Sequence, residues 1–212
     1  MLEPLHAPYL SDEDIRRRAE LFLASHHPSR SLPIPIEEII DLRLKLHITS
    51  VPGLLQAFEI DAFTSSDCRL ITVDNGIYQH RPARYRFSLA HELGHIELHR
   101  QVYSQAQFRR IDEWKAFVAQ FPPDEHRWFE FQAYAFAGYV LVPRQELERE
   151  TEGALRMAAA RGMVIRSTDV DLWAYAASYL AETFEVSMEV IQRRWNKEGI
   201  RTRRWLSDKG LL

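Results

Sequence analysis

Five consecutive residues carry the most chemistry in this chain: His91-Glu92-Leu93-Gly94-His95. Four residues advance a helix by about 400°, so His91 and His95 stand on one face, about 6 Å apart along the axis. Two imidazole nitrogens so placed can meet one divalent ion such as Zn²⁺ at about 2.0–2.1 Å. Glu92 stands about 100° round from His91, beside the ion rather than on it. There it can take a proton from a water that the metal has acidified towards a pKa of about 7. A chain of this composition contains such a His-Glu-x-x-His match by chance with a frequency of roughly 0.03, which makes the pentad informative. Its setting adds weight. Phe87, Leu89, Ala90, Leu93, Ile96 and Leu98 make the segment apolar on most sides. Buried histidines need partners, and a metal is one. Gly94 costs about 1 kcal/mol relative to Ala in a helix interior, which points to a close neighbour.

A catalytic site of this kind needs a third protein ligand. A longer pattern that continues to a third His is absent, because Gln101 stands at that place. The other common solution is a carboxylate from a later helix, and Glu130 is the best candidate, with Glu125 and His126 behind it. Ala133 and Ala137 share the face of Glu130 and Gly138 borders it, so this helix can approach the Gly94 side closely. His99 lies one more turn along from His95, where it supports or packs against the ligands rather than joining them. His6, His26, His27, His47 and His80 have no metal-like spacing.

The elements that must position these groups are signalled locally. Ser11 caps a first helix, with Asp14 reaching back. Ile36 to Leu42 reads as a short second helix after Pro33 and Pro35. Leu44–Val51, Leu54–Phe63 and Cys68–Val73 read as two or three antiparallel strands, and Asp74-Asn75-Gly76 as a turn. From about Ala83 the pattern is helical. Asp124 is the expected cap of a helix that ends near Val142, before Pro143. Thr168-Asp169-Val170-Asp171 begins another helix, and Ser187 caps a last one through Arg194. The expected class is α+β, with a small antiparallel sheet and a mainly helical C-terminal part. Residues 1–150 would form the site-bearing domain and residues 151–212 a helical region.

Composition excludes other classes. Of 212 residues, 46% are hydrophobic and 27% charged, which is ordinary for a globular chain and rules out disorder throughout. A formal net charge of −3 does not describe a polycation. One cysteine, Cys68, excludes a disulfide scaffold. The longest apolar run, Ala133 to Val142, is about half the ~20 residues a bilayer helix needs, so no membrane role is expected. Without a basic and apolar leader in the first ten residues, the expected compartment is the cytoplasm. Near the C-terminus, Arg193, Arg194, Arg201, Arg203 and Arg204 interleave with Trp195 and Trp205. They could meet nucleic acid, although a solvated face is the plainer reading. Leu180 to Trp195 has the rhythm of a helix-turn-helix, with Glu185 where the turn usually takes Gly.

Two segments taken together resemble the ImmA/IrrE family of zinc metallopeptidases. One runs from Arg86 to His99 through the pentad. The other is Glu130 to Pro143, of the form E-x-x-A-x-x-F-A with Leu141 one place later than usual. The resemblance implies a zincin-like fold and zinc endopeptidase activity, with His91, His95 and Glu130 as ligands and Glu92 as general base. It implies a protein substrate, in many members a helix-turn-helix repressor cut in stress responses, mobile elements or toxin–antitoxin settings. The family often has Asn or Asp where this chain has Tyr134, so Tyr134 joins His99 as a residue expected just behind the ligands. For the group that stabilises the developing oxyanion, Tyr85, Tyr134 and His126 are candidates. The competing reading is a non-catalytic DNA-binding or regulatory module with a structural zinc site.

Overall fold

The Ser11 side chain accepts from the Asp14 amide, and the Asp14 carboxylate accepts from the Ser11 amide. This reciprocal cap starts α1 (Asp12–His26) where the sequence predicts it. The computed structural model describes residues 5–212. They fall into two units, the chain up to Ser29 with Pro35–Val140, and Arg30–Ile34 with Leu141–Leu212.

In the first unit, α2 (Ile36–Glu38) runs on as a π-type turn over Ile39–Arg43. Next come β1 (His47–Val51), α3 (Leu54–Phe58), β2 (Ala62–Thr64) and β3 (Leu70–Asp74). The sheet order is β1-β3-β2. β2 pairs antiparallel with β3, but β1 pairs parallel with it, His47 opposite Leu70 and Val51 opposite Asp74. The sheet is therefore mixed, not antiparallel as expected. Parallel neighbours require a crossover, and the chain between Val51 and Leu70 supplies it with α3 and β2. The expected strand Leu54–Phe63 is accordingly two elements. Gly53 (φ 82°) and Glu59 (φ 60°), both left-handed, bracket the helical turn of α3. β3 is the central strand, with Ile71 and Val73 fully buried.

Asp74 does more than close a turn. Its Oδ1 accepts from the amides of Gly76 and Ile77 to cap α4 (Asn75–His80), and its Oδ2 accepts from the Leu55 amide at the start of α3. The long α5 (Pro82–Tyr103) follows, with Pro at its first turn, where a missing N–H costs nothing. Then come α6 (Ile111–Val118) and α7 (Pro123–Leu141), the latter starting one residue before the Asp124 expected to cap it. α5 and α7 meet at Gly94, where a Cβ would lie 2.9 Å from the Ala133 backbone. Only glycine permits that approach.

The second unit holds α8 (Arg144–Ala160), α9 (Val170–Phe184), α10 (Met188–Glu198) and α11 (Arg203–Asp208). Ser187 caps α10 as the sequence predicts, whereas α9 is capped by Asp169, one residue after the Thr168 that opens the expected capping box. Trp173 and Trp195 pack edge to face at 5.1 Å in its core. Glu185 (φ 51°, ψ 49°) takes the left-handed position between α9 and α10 that glycine usually fills. The arginines expected as one basic surface separate here. Arg194 is buried, its Nε donating to the Val142 carbonyl and its guanidinium paired with Glu198 at 2.8 Å. Arg201 lies over the Trp173 ring, and Arg193, Arg203 and Arg204 stay exposed. The cause is the helical period, which turns position 194 inward with Ile191 and Trp195. Among the described residues, no helix is long and apolar enough to cross a membrane.

Candidate metal centre

One stripe of α5 presents His91, His95, His99 and Tyr103 at successive turns, and α7 brings Glu130 against the first two. His91 Nε2 lies 3.1 Å from Glu130 Oε2 and 3.1 Å from His95 Nε2, and His95 Nε2 lies 3.5 Å from Glu130 Oε1. Tetrahedral ligands at about 2.05 Å from a zinc ion stand about 3.3 Å from one another. The three donors therefore have the separations that one such ion requires. Their chemistry fits as well. Burial alone would raise the Glu130 carboxyl, but the adjacent His95 and His91 rings pull it well below its ordinary value. Burial alone would lower His91, but Glu130, with Glu92 and Asp61, raises it. Both shifts have one main cause, a carboxylate set against two imidazole rings. Neither Glu125 nor His126 belongs to the donor set. Glu125 instead accepts from the Ala7 amide at 3.0 Å.

Glu92 is buried beside the donors, and its Oε2 accepts from Thr64 Oγ1 at 2.8 Å. That contact brings the β2 edge to the site. His91, Glu92, His95 and Glu130 open into one cleft of about 380 Å³, with Ile60, Ala62 and Trp114 among its walls. A carboxylate with one oxygen held, beside a three-ligand metal position and facing a cleft, can take a proton from a water there.

Behind the ligands, His95 Nδ1 meets His99 Nδ1 at 3.0 Å, and His99 Nε2 meets Gln132 Oε1 at 3.1 Å. Burial, reinforced by the neighbouring His95, pushes the His99 pKa down to about 3, so that ring is neutral. Phe129 stacks on His99 at 4.1 Å and lies tilted against His95 at 4.5 Å. His99 thus meets His95 at Nδ1, the nitrogen not turned to Glu130. Tyr134 lines the cleft with its ring on Phe87 at 4.8 Å. Tyr85 is elsewhere, donating to Glu37 in a separate cavity, so it is no oxyanion candidate. His126 lines the cleft, and its buried Nε2 makes no hydrogen bond.

Sequence reasoning missed Thr64, Gln132, Phe129 and Tyr103. Tyr103 alone carried a signal, since it continues the four-residue stripe of histidines. It lines the same cleft, and its hydroxyl is held protonated by burial and by the nearby Glu92 and Glu130.

A model of the IrrE N-terminal-like domain, a peptidase family, matches residues 77–196, more than half of the chain and all of the donors. Among solved structures, a Mycobacterium tuberculosis transcriptional regulator is similar in fold, with a TM-score of 0.50 and 19% identity. The alignment covers 86% of this chain and 46% of that one, so this chain spans about half the regulator's length. No curated protein matches it.

Proposed function

The chain belongs to the IrrE N-terminal-like domain family of peptidases, and from that premise we propose that it is a zinc-dependent metalloendopeptidase. The observation that supports this most is the convergence of His91, His95 and Glu130 at zinc-like separations, with Glu92 in the same cleft. His91, His95 and Glu130 would hold the ion. Bound zinc supplies Lewis acidity, which makes water a nucleophile near neutral pH and polarises a carbonyl. Glu92 takes the proton of the attacking water and passes it to the leaving amine. Thr64 holds one of its oxygens, leaving the other for the water. His126 and Tyr134, which both line the cleft, are the groups proposed to meet the developing oxyanion.

By the family resemblance, the substrate is a cytoplasmic regulatory protein, a helix-turn-helix repressor cut at a linker. The test is cleavage of such a repressor by the parent protein, with metal measured by elemental analysis. The parent should carry about one zinc per chain, and His95→Ala should lose both metal and cleavage. Stoichiometric zinc in His95→Ala would end the assignment.

One observation favours the second reading, a DNA-binding or regulatory module with a structural zinc. α9 and α10 are joined through a left-handed Glu185, with Arg193 exposed on α10. Binding of a defined duplex that survives both zinc loss and moderate salt would favour it.

A further inference from the structure

We propose that His99 and Gln132 are positioning residues that lock His95 in the tautomer with a bare Nε2, and that a backbone carbonyl at Pro8 sets the lock. The inference rests on the reading of His95 as a metal ligand.

The argument is one of donors and acceptors. The Pro8 carbonyl can only accept, and the nearest Gln132 side-chain atom stands 2.8 Å from it. That atom must be the amide nitrogen, so Gln132 turns its oxygen, Oε1, towards His99 Nε2 at 3.1 Å. An amide oxygen can only accept, so His99 Nε2 carries a proton. A ring that is fully buried and hydrogen-bonded only to an amide and another imidazole stays neutral, so its other nitrogen, Nδ1, is bare and can only accept. His95 Nδ1, 3.0 Å away, must donate to it. His95 Nε2 is left with its lone pair, aimed at the position shared with His91 and Glu130. Each step is forced by the one before it, and no member of the chain can reverse alone.

The lock is buried. His99 and Gln132 are fully inaccessible and His95 is 3% exposed, so water cannot substitute for a missing partner. Phe129, stacked on His99 and tilted against His95, packs both rings in place. The carbonyl that starts the chain belongs to a segment tied to α7 by independent contacts. The Ala7 amide donates to Glu125, and the Tyr9 ring stacks on Trp128. The N-terminal segment is thus part of the metal site without touching it. An apparent affinity falls by the fraction of molecules in the binding-competent state. A His95 free to protonate at Nε2 would therefore bind metal more weakly in proportion to the time it spends so.

The test compares Gln132→Leu and Gln132→Glu in the full-length protein, with Zn²⁺ affinity measured by chelator competition. Leu removes the acceptor that fixes His99, and the expected loss is about 10–100-fold. Glu, held protonated by burial, donates its hydroxyl to the Pro8 carbonyl and keeps an acceptor facing His99 Nε2, and should bind within a few-fold of the parent. A packing role gives the opposite order, because Leu suits a buried apolar site and a buried carboxylate does not. Imidazole ¹⁵N shifts of the metal-free protein supply a readout independent of metal. His95 should be protonated at Nδ1 and bare at Nε2 in the parent and in Gln132→Glu, and mostly protonated at Nε2 in Gln132→Leu. Parent-like affinity in Gln132→Leu, a weaker Gln132→Glu than Gln132→Leu, or a proton on His95 Nε2 in the parent would each overturn the proposal. A parent that binds no zinc but shows the expected tautomer would overturn the ligand reading and leave the lock standing.

Discussion

Gly94→Ala places a single methyl at the contact between the two ligand-bearing helices. The added Cβ would stand 2.9 Å from Ala133 Cα and 2.9 Å from the Ala133 carbonyl oxygen, whereas ordinary contacts begin at 3.4 Å. The helices must therefore separate by about 0.5 Å, and both obstacles are backbone, which has no rotamer to yield. Glu130 lies one turn before Ala133 on α7, so it moves away from His91 and His95 by a similar amount. A metal site tolerates about 0.2 Å. Zinc affinity should fall by at least tenfold. Stability is a closer balance, because Ala gains about 1 kcal/mol of helix propensity over Gly and overpacking costs about 1–3 kcal/mol. The net expectation is a loss of up to about 2 kcal/mol. Chelator competition reads the first quantity, and urea denaturation of the metal-free protein reads the second. A variant that binds zinc like the parent and gains about 1 kcal/mol would show that α7 is free to adjust, and would refute the reasoning.

Three further perturbations probe separate parts of the site and its support. Glu92→Gln should retain zinc and fold while cleavage falls by about 10²–10⁴, and loss of metal would show the role to be misassigned. Thr64→Val removes the hydroxyl that holds Glu92 Oε2. Turnover should fall about 10–100-fold with metal content unchanged, as expected for a charged hydrogen bond of about 1.5–3 kcal/mol; unchanged turnover would mean that Glu92 needs no such anchor. Asp74→Ala should cost about 1–2 kcal/mol at neutral pH, since it removes the α4 cap and the bond to Leu55. Burial alone would raise the Asp74 carboxyl, but the Leu55, Ile77 and Gly76 amides hold it below its ordinary value. A lowered folded pKa gives stability that is present above the unfolded value of about 3.9 and lost as pH falls through the folded value. The gap between parent and variant, read by urea denaturation, should therefore narrow as pH falls below the unfolded value of about 3.9. A constant gap would assign the effect to neutral hydrogen bonding.

The sequence by itself determined what depends on local geometry. The 3.6-residue period fixed that His91 and His95 share a face, and that Ala133 and Ala137 lie on the face of Glu130. The cost of a mid-helix glycine foretold a close neighbour at Gly94, and that neighbour is Ala133. Ser11 and Ser187 cap helices because a short polar side chain satisfies nearby amides without help from the rest of the fold. Only the tertiary structure decided what depends on groups distant in the chain. A strand's own residues do not say whether its neighbour runs with it or against it, so the parallel pairing of β1 with β3 was hidden. A short segment rich in apolar residues suits a strand or a helical turn equally, and the left-handed Gly53 and Glu59 bracket Leu54–Phe58 as a helix. The partners that tune the site are 28 residues apart for Thr64 and Glu92, and 124 for Gln132 and Pro8. No periodicity reports such separations. They arise because buried polar groups must find partners, and only the folded chain determines which ones are within reach.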